Sequence, residues 1–197
     1  AGFVALATFQ NTNALNFTAA NLGGFAPAVS GSSGGDTVTY TPDAFVAPGG
    51  TAPTLDGGAG TDTLTITTPP PSATVGPATI TPSADGKYLL FDFNGDGTTD
   101  LKVTNVEDIV LNGQQVVISG DLAGTGLAPN TIHYTGTGAN DLLDASGLTS
   151  LESIRATGGS GNDTLIGAND DDTLQGGDGL DWLKGRGGPD LLEGGNG

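Results

Sequence analysis

From Gly158 the chain repeats every nine residues, as GGSGNDTLI, GANDDDTLQ, GGDGLDWLK and GRGGPDLLE in unbroken succession. Asp163, Asp172, Asp181 and Asp190 fill the sixth place of each unit, and Leu165, Leu174, Leu183 and Leu192 the eighth. A register this strict constrains the fold more than any other feature, because each unit must adopt the same local path. The Gly- and Asp-rich residues of a unit form a turn, since Gly supplies positive φ without steric cost. The remaining three form a short strand with one apolar side chain pointing inward. Two units then close one coil of ~18 residues, and coils stack at the usual strand spacing of roughly 4.8 Å. The fold class expected is all-β, a parallel β-roll or β-helix.

Stacked turns leave a pocket between them, walled by backbone carbonyls and two Asp carboxylates. Oxygen-only donors suit a hard cation with about six to eight ligands, Ca²⁺ rather than Zn²⁺. Alternate units share a side, so Asp163 is expected to pair with Asp181, and Asp172 with Asp190. The turn residues expected to join them are Gly158, Ser160 and Gly161, then Gly167 and Asn169, then Gly176, Asp178 and Gly179. Without an ion the array becomes a loop stack whose carboxylates repel at close range.

Composition agrees with a cation. The chain has 197 residues with 35 Gly and 11 Pro, and only 36% of it is hydrophobic. Gly-rich chains lose much backbone entropy on folding, so something besides a conventional core must compensate. Five Lys and Arg against 22 Asp and Glu give a net charge of −17, and such self-repulsion disfavours compaction without counter-ions. The same balance excludes a nucleic-acid footprint and an anionic membrane surface as partners. There is no cysteine, which removes disulfides, thiolate zinc sites and cysteine nucleophiles together. No run approaches a transmembrane span. Residues 1–9 lack the basic start of a signal peptide, and the closing Gly194-Gly195-Asn196-Gly197 reads as the opening of a further repeat. A processed product or an excised fragment is therefore expected.

The nine-residue frame recurs at residues 57–65 (GGAGTDTLT, with Asp62). Weaker copies stand at residues 31–39 (GSSGGDTVT, with Asp36) and 136–144 (GTGANDLLD, with Asp141). An isolated copy has no evident stacking partner, so calcium at Asp36 and Asp141 competes with a plain turn whose Asp caps its own backbone. Strand-like runs rich in Val, Ile and Thr lie between the copies, at residues 37–41, 88–93, 101–106, 108–111, 115–119 and 153–157. Helical periodicity is hard to find. Residues 67–82 form a Pro-rich interruption, read as a loop or a boundary. Two regions follow: residues 1–130, either degenerate coil or a separate small β region, and residues 131–197, the regular roll.

Residues 92–100 (DFNGDGTTD) carry a different pattern. Asp92, Asn94, Asp96 and Asp100 hold the first, third, fifth and ninth places, with Gly97 at the sixth. Side chains at alternate places converge on a cation while Gly permits the sharp turn. Val103 stands where an EF-hand has its closing Glu, and the flanks are strands, so this loop resembles the hairpin calcium loops of integrin-type repeats instead. That resemblance implies that the Thr98 carbonyl and Asp100 complete the shell. The alternative is an acidic turn with no ion.

Residues 158–197, with 57–65 as an outlier, resemble the RTX or haemolysin-type calcium-binding family. The resemblance implies export by type I secretion, folding outside the cell where calcium is plentiful, and several bound Ca²⁺ ions. Asp170 at a glycine place and Pro189 before Asp190 depart from the pattern and weaken Asp190 relative to Asp163. No catalytic residue is expected, because the one histidine, His133, sits in a strand-like context and the carboxylates lie in calcium frames. The leading expectation is a structural module of an adhesin, a surface layer or an extracellular matrix polymer. Its expected partners are copies of itself, with the apolar residues 3–25 capping the roll or pairing with a neighbour, and possible contact with surface polysaccharide through Trp182. The alternative is a module that drives secretion and folding of an attached enzyme.

Overall fold

Strand residues alternate polar and apolar, and a period of two puts one side chain in and the next out. The computed structural model describes residues 15–18, 28–31, 33–41, 51–66, 76–113, 115–127 and 131–197. In chain order, β1 (Leu15–Thr18) and β2 (Ala28–Ser30) form one coil, and β3 (Thr37–Thr41) and β4 (Thr54–Asp56) the next. After β5 (Thr63–Ile66) the path detours through β6 (Ala78–Pro82), β7 (Leu89–Asp92) and β8 (Leu101–Thr104). Regular coils resume with β9 (Asp108–Asn112), β10 (Gln115–Gly120), β11 (Thr131–Thr135) and β12 (Leu142–Leu148). They end with β13 (Ser153–Ser160), β14 (Thr164–Ile166), β15 (Thr173–Asp178), β16 (Trp182–Lys184) and β17 (Leu191–Asn196).

The strands make two sheets facing one another. One has eight strands in the order β1-β3-β5-β9-β11-β13-β15-β17, and every pair in it is parallel. The other has nine, β2-β4-β8-β7-β6-β10-β12-β14-β16. This is the parallel β-roll expected from the repeats, and both sheets pass residue 130 without a break. The detour accounts for the extra strand: β7 runs antiparallel between β6 and β8, so one coil contributes three strands to this sheet. The expectation of a Pro-rich interruption over residues 67–82 needs correcting in part. Residues 78–82 are strand β6, whose Ile80 is buried against Phe91 of β7 and Ile118 of β10. Pro82 fits because it closes the strand. Residues 67–75 lie outside the described set, as does the 3–25 stretch apart from β1.

Inward side chains stack in rows along the coil axis. One row runs Tyr40, Ile66, Leu111, Tyr134, Ala156, Leu174, and another Val38, Leu64, Ile109, Ile132, Ile154. The second row stops at the regular repeats, where Ile154 meets the turn residue Asp172. The opposite sheet supplies Leu55, Val103, Leu89, Phe91, Ile118, Leu143 and Leu165, all buried. Phe93 stacks on Tyr40 with ring centroids 5.7 Å apart and leans on Phe91 at 5.6 Å. The aromatics thus gather where the extra strand widens the interior, beside an apolar cavity of about 170 Å³ lined in part by Ile66, Ile80, Phe91 and Phe93.

Candidate calcium sites

The sixth-place aspartate ends each regular turn and begins the next strand. Its Oδ1 accepts the backbone N–H of the equivalent residue one coil earlier. Asp163 Oδ1 takes Asp141 N–H at 2.8 Å, Asp181 Oδ1 takes Asp163 N–H at 2.9 Å, and Asp190 Oδ1 takes Asp172 N–H at 3.1 Å. Two acidic columns result, Asp141–Asp163–Asp181 on one side of the roll and Asp172–Asp190 on the other. Asp141 is therefore not isolated: its turn stacks on that of Asp163.

The second oxygens behave differently. Oδ2 of Asp163 and Oδ2 of Asp181 are buried and have no hydrogen-bond partner. Each bends back over the first glycine of its own turn. A Cβ on Gly158 would strike both Asp163 Oδ2 and the Gly176 carbonyl oxygen, and a Cβ on Gly176 would strike Asp181 Oδ2 and the Gly194 carbonyl. A carboxylate oxygen and a carbonyl from the next coil thus face one small space that only glycine leaves open. Gly167 repeats the arrangement with Asp172 Oδ2 and the Gly185 carbonyl. A buried polar group left unsatisfied costs about 1–3 kcal/mol, and more when charged. Burial accordingly raises the Asp163 carboxyl, and the charges of Asp141 and Asp181 add to this against the lowering effect of the Asp141 N–H. Asp172 is pushed up to about 6, burial again being the largest cause.

Oxygen donors, a buried orphan oxygen and a glycine-lined cradle fit a hard cation. Among the described residues no three Asp, Glu, His or Cys side chains form a common metal cluster. An ion in these turns would accordingly rest on carbonyls with one or two carboxylates. The other turn residues are placed as follows. Gly161 N–H donates to the Asp178 carbonyl at 2.8 Å, and the Gly161 carbonyl faces the Cα of Gly179. Ser160 N–H donates to the Thr137 carbonyl at 3.3 Å. Asn169 is exposed and spends its side chain on the Leu148 carbonyl.

The early copies also meet. Asp36 N–H donates to Asp62 Oδ1 at 2.7 Å, so two turns separated by 26 residues stack as adjacent regular turns do. Asp62 is 2% exposed, and its Oδ2 is buried without a partner. Burial raises its carboxyl; the Asp36 N–H opposes this, and the charges of Glu107, Asp36 and Asp56 add to the rise.

Residues 54–65, 157–192 and 175–197 match the family model of the RTX calcium-binding nonapeptide repeat, in four copies. These turns are RTX calcium-binding repeats. No curated protein and no solved structure matches the chain. Asp163, Asp172, Asp181 and Asp190 of the two aspartate columns lie within these RTX turns, and Arg186 is the main local departure from the regular turn. It stands at the second place of its turn with φ of 87°, where Gly159 and Gly177 have φ of 111° and 116°. An L-residue is strained there, and Arg186 is tied down by donating to the Ser146 carbonyl at 2.8 Å.

Outside the RTX frame, residues 92–100 link β7 to β8. Asp92 accepts Gly95 N–H at 2.8 Å and Gly97 N–H at 2.7 Å, while Asn94 Nδ2 donates to Asp96 at 3.1 Å. Thr98 N–H donates to Asp96 at 2.7 Å and holds that carboxyl below its usual range. Asp100 accepts Phe93 N–H at 2.9 Å. The third and fifth side chains meet, the first turns to backbone N–H groups, and none of their oxygens is both buried and orphaned. This loop keeps its shape through its own N–H groups, unlike the RTX turns.

Glu152, which no repeat frame in the sequence marks, belongs with the buried carboxylates. It is 1% exposed, Oε2 accepts the Ser150 hydroxyl at 2.7 Å, and Oε1 is buried without a partner. Burial raises its carboxyl, assisted by the charges of Asp121 and Asp170. It directly precedes β13, the position that Asp62 holds before β5, but no glycine frame marks it.

Proposed function

We propose that this chain is a non-catalytic structural module of a secreted or cell-surface bacterial protein, which folds when calcium enters its stacked turns. The orphaned oxygens of Asp163 and Asp181 carry this reading. In a calcium-poor cytosol they and their neighbours repel, and the Gly-rich chain stays extended. Outside, each ion neutralises carboxylates and joins two coils, so binding free energy becomes folding free energy. Stacked coils support their neighbours, which makes the transition cooperative. Type I secretion is the export route that the repeats favour, and among the described residues no helix is long and apolar enough to cross a membrane.

Absence of catalysis belongs to the same proposal. His133 is half-exposed on an outer sheet face, 3.4 Å from Asp108, and the buried carboxylates are engaged in the turns. An adhesin, surface-layer or matrix role, with self-association and a polysaccharide contact at Trp182, is the finer form of the proposal. Trp182 is 60% exposed on an outer face, which supports such a contact. A folding module for an attached secreted enzyme is the second form, since RTX turns serve both.

Calcium titrated into EDTA-treated protein tests the core claim, followed by far-UV circular dichroism and calorimetry. A cooperative gain of β signal with more than one ion bound is expected. A fully folded protein that takes up calcium with no heat and no spectral change would overturn it.

A further inference from the structure

We propose that the three-residue turn Asn105–Glu107, which no repeat pattern marks, closes a calcium site with Asp62. This rests on the calcium reading of the RTX turns and extends it to a turn without their sequence. Three observations carry it.

The first is hydrogen-bond equivalence. Asp62 N–H donates to Glu107 Oε2 at 2.8 Å, as Asp36 N–H donates to Asp62 Oδ1 at 2.7 Å. The backbone follows the same rule. Asp108 N–H reaches the Asp62 carbonyl at 3.0 Å, as Trp182 N–H reaches the Asp163 carbonyl at 2.8 Å in the regular roll. Glu107 thus occupies the place of the sixth-position aspartate, 45 residues along the chain from Asp62.

The second is how a short turn reproduces a long one. An RTX turn runs six residues from its first Gly to its Asp, as in Gly57 to Asp62, whereas only Asn105, Val106 and Glu107 separate β8 from β9. The longer glutamate side chain makes up for the missing backbone. Asn105 has φ of 52°, the left-handed conformation that Asn tolerates better than most side chains, and its carbonyl faces the Cα of Gly57. A Cβ on Gly57 would strike that carbonyl and stand 2.8 Å from Asp62 Oδ2. The same pair of oxygens, one carboxylate and one carbonyl, surrounds Gly158 and Gly176 in the regular turns.

The third is the oxygen left over. Asp62 Oδ2 is buried with no partner, and the neighbouring turn has few donors to offer it. Asn105 N–H goes to the Thr125 carbonyl, while Glu107 N–H and Asp108 N–H both go to the Asp62 carbonyl. Asp62 Oδ2 and the Asn105 carbonyl therefore face one gap that glycine keeps open, with the Glu107 carboxylate held beside Asp62 through the Asp62 N–H, and oxygen donors of this kind suit Ca²⁺.

The test is an anomalous difference map from crystals of the full chain soaked in terbium chloride. A peak between Asp62 Oδ2 and the Asn105 carbonyl, at lanthanide–oxygen distance from both, is expected beside peaks at Asp163 and Asp181. Peaks at the regular turns with none at Asp62 would overturn this inference and leave the calcium reading intact. No peak at any turn would overturn both. In solution, Glu107→Gln keeps an acceptor for Asp62 N–H and removes the charge. Native mass spectrometry in calcium is expected to count one ion fewer than in wild type. An unchanged ion count in a folded variant would reduce Glu107 to a cap and overturn the proposal; if the variant does not fold, the wild-type map decides.

Discussion

Residues 28–112 and residues 131–197 stack their turns by one rule and fill the space inside by different means. Between β3 and β10 the interior holds Tyr40, Phe91, Phe93, Leu101, Val103 and Ile109, all buried. Burying one such side chain contributes about 1.5–3 kcal/mol, so this part has a true hydrophobic core. Residues 131–155 still bury Ile132, Tyr134, Leu143 and Ile154, and only beyond them does the interior shrink to Ala156, Leu165, Ala168 and Leu174, with Leu192 already exposed. Apolar burial is thin there, and the buried, unpartnered oxygens of Asp163 and Asp181 stand in that stretch as the one of Asp62 stands in the packed part. One β-roll thus has its thickest packing in the irregular part and its thinnest along the strict repeats, with buried candidate ion-binding oxygens in both.

Calcium removal should separate the halves most sharply. In EDTA, amides of β14 to β17 are expected to exchange hydrogen orders of magnitude faster, while those of Leu89, Phe91, Val103 and Ile118 stay protected. Equal loss in both halves would break the comparison. Next in size, Phe91→Ala should destabilise the packed region by about 3–5 kcal/mol in calcium-saturated urea melts. A loss below ~1 kcal/mol would mean that the cavity beside it collapses freely.

Asp163→Asn sharpens the contrast because its sign should depend on the ion. Asn keeps the acceptor for Asp141 N–H and removes the buried charge. The variant should gain about 1 kcal/mol in EDTA, and its calcium midpoint should weaken by about tenfold, equivalent to ~1.4 kcal/mol. Loss in both conditions would mean that Asp163 acts through shape alone.

A smaller effect follows from Asp172, pushed up to about 6 by burial. A carboxyl raised above its unfolded value, roughly 3.9, binds its proton more tightly when folded. Its contribution is complete below the unfolded value and is lost as pH rises through about 6. Calcium-free protein should therefore melt at higher temperature at pH 5 than at pH 7.5, and calcium should reverse the order by competing with the proton. The same order with and without calcium would remove Asp172 from the ion sites. Smallest of all, Trp182→Ala should change stability by no more than about 0.5 kcal/mol, because the ring is exposed. Any larger loss would assign it to packing.

Much of this was legible in advance, for a local reason. A nine-residue unit fixes its own turn and strand, so the columns of Asp163 with Asp181 and of Asp172 with Asp190 follow from counting. The strand runs at residues 37–41 and 108–111 were equally readable, because alternation needs no partner to be seen. The turn at 92–100 was readable too, since its alternating acids and its glycines lie within nine residues.

What the sequence by itself determined is therefore the repeat, its oxygen chemistry and the all-β character, each written within a few residues. Only the tertiary structure decided which distant turns meet. Asp36 finds Asp62 across 26 residues because β5 lies beside β3, and Asp62 finds Glu107 across 45 because β6, β7 and β8 add strands to the opposite sheet before β9 returns beside β5. Glu107 and Glu152 carry no motif; the strands that follow them put them in line with Asp62. Stacking in a coil depends on what lies one layer above, and a variable insertion between layers hides that neighbour from any local pattern.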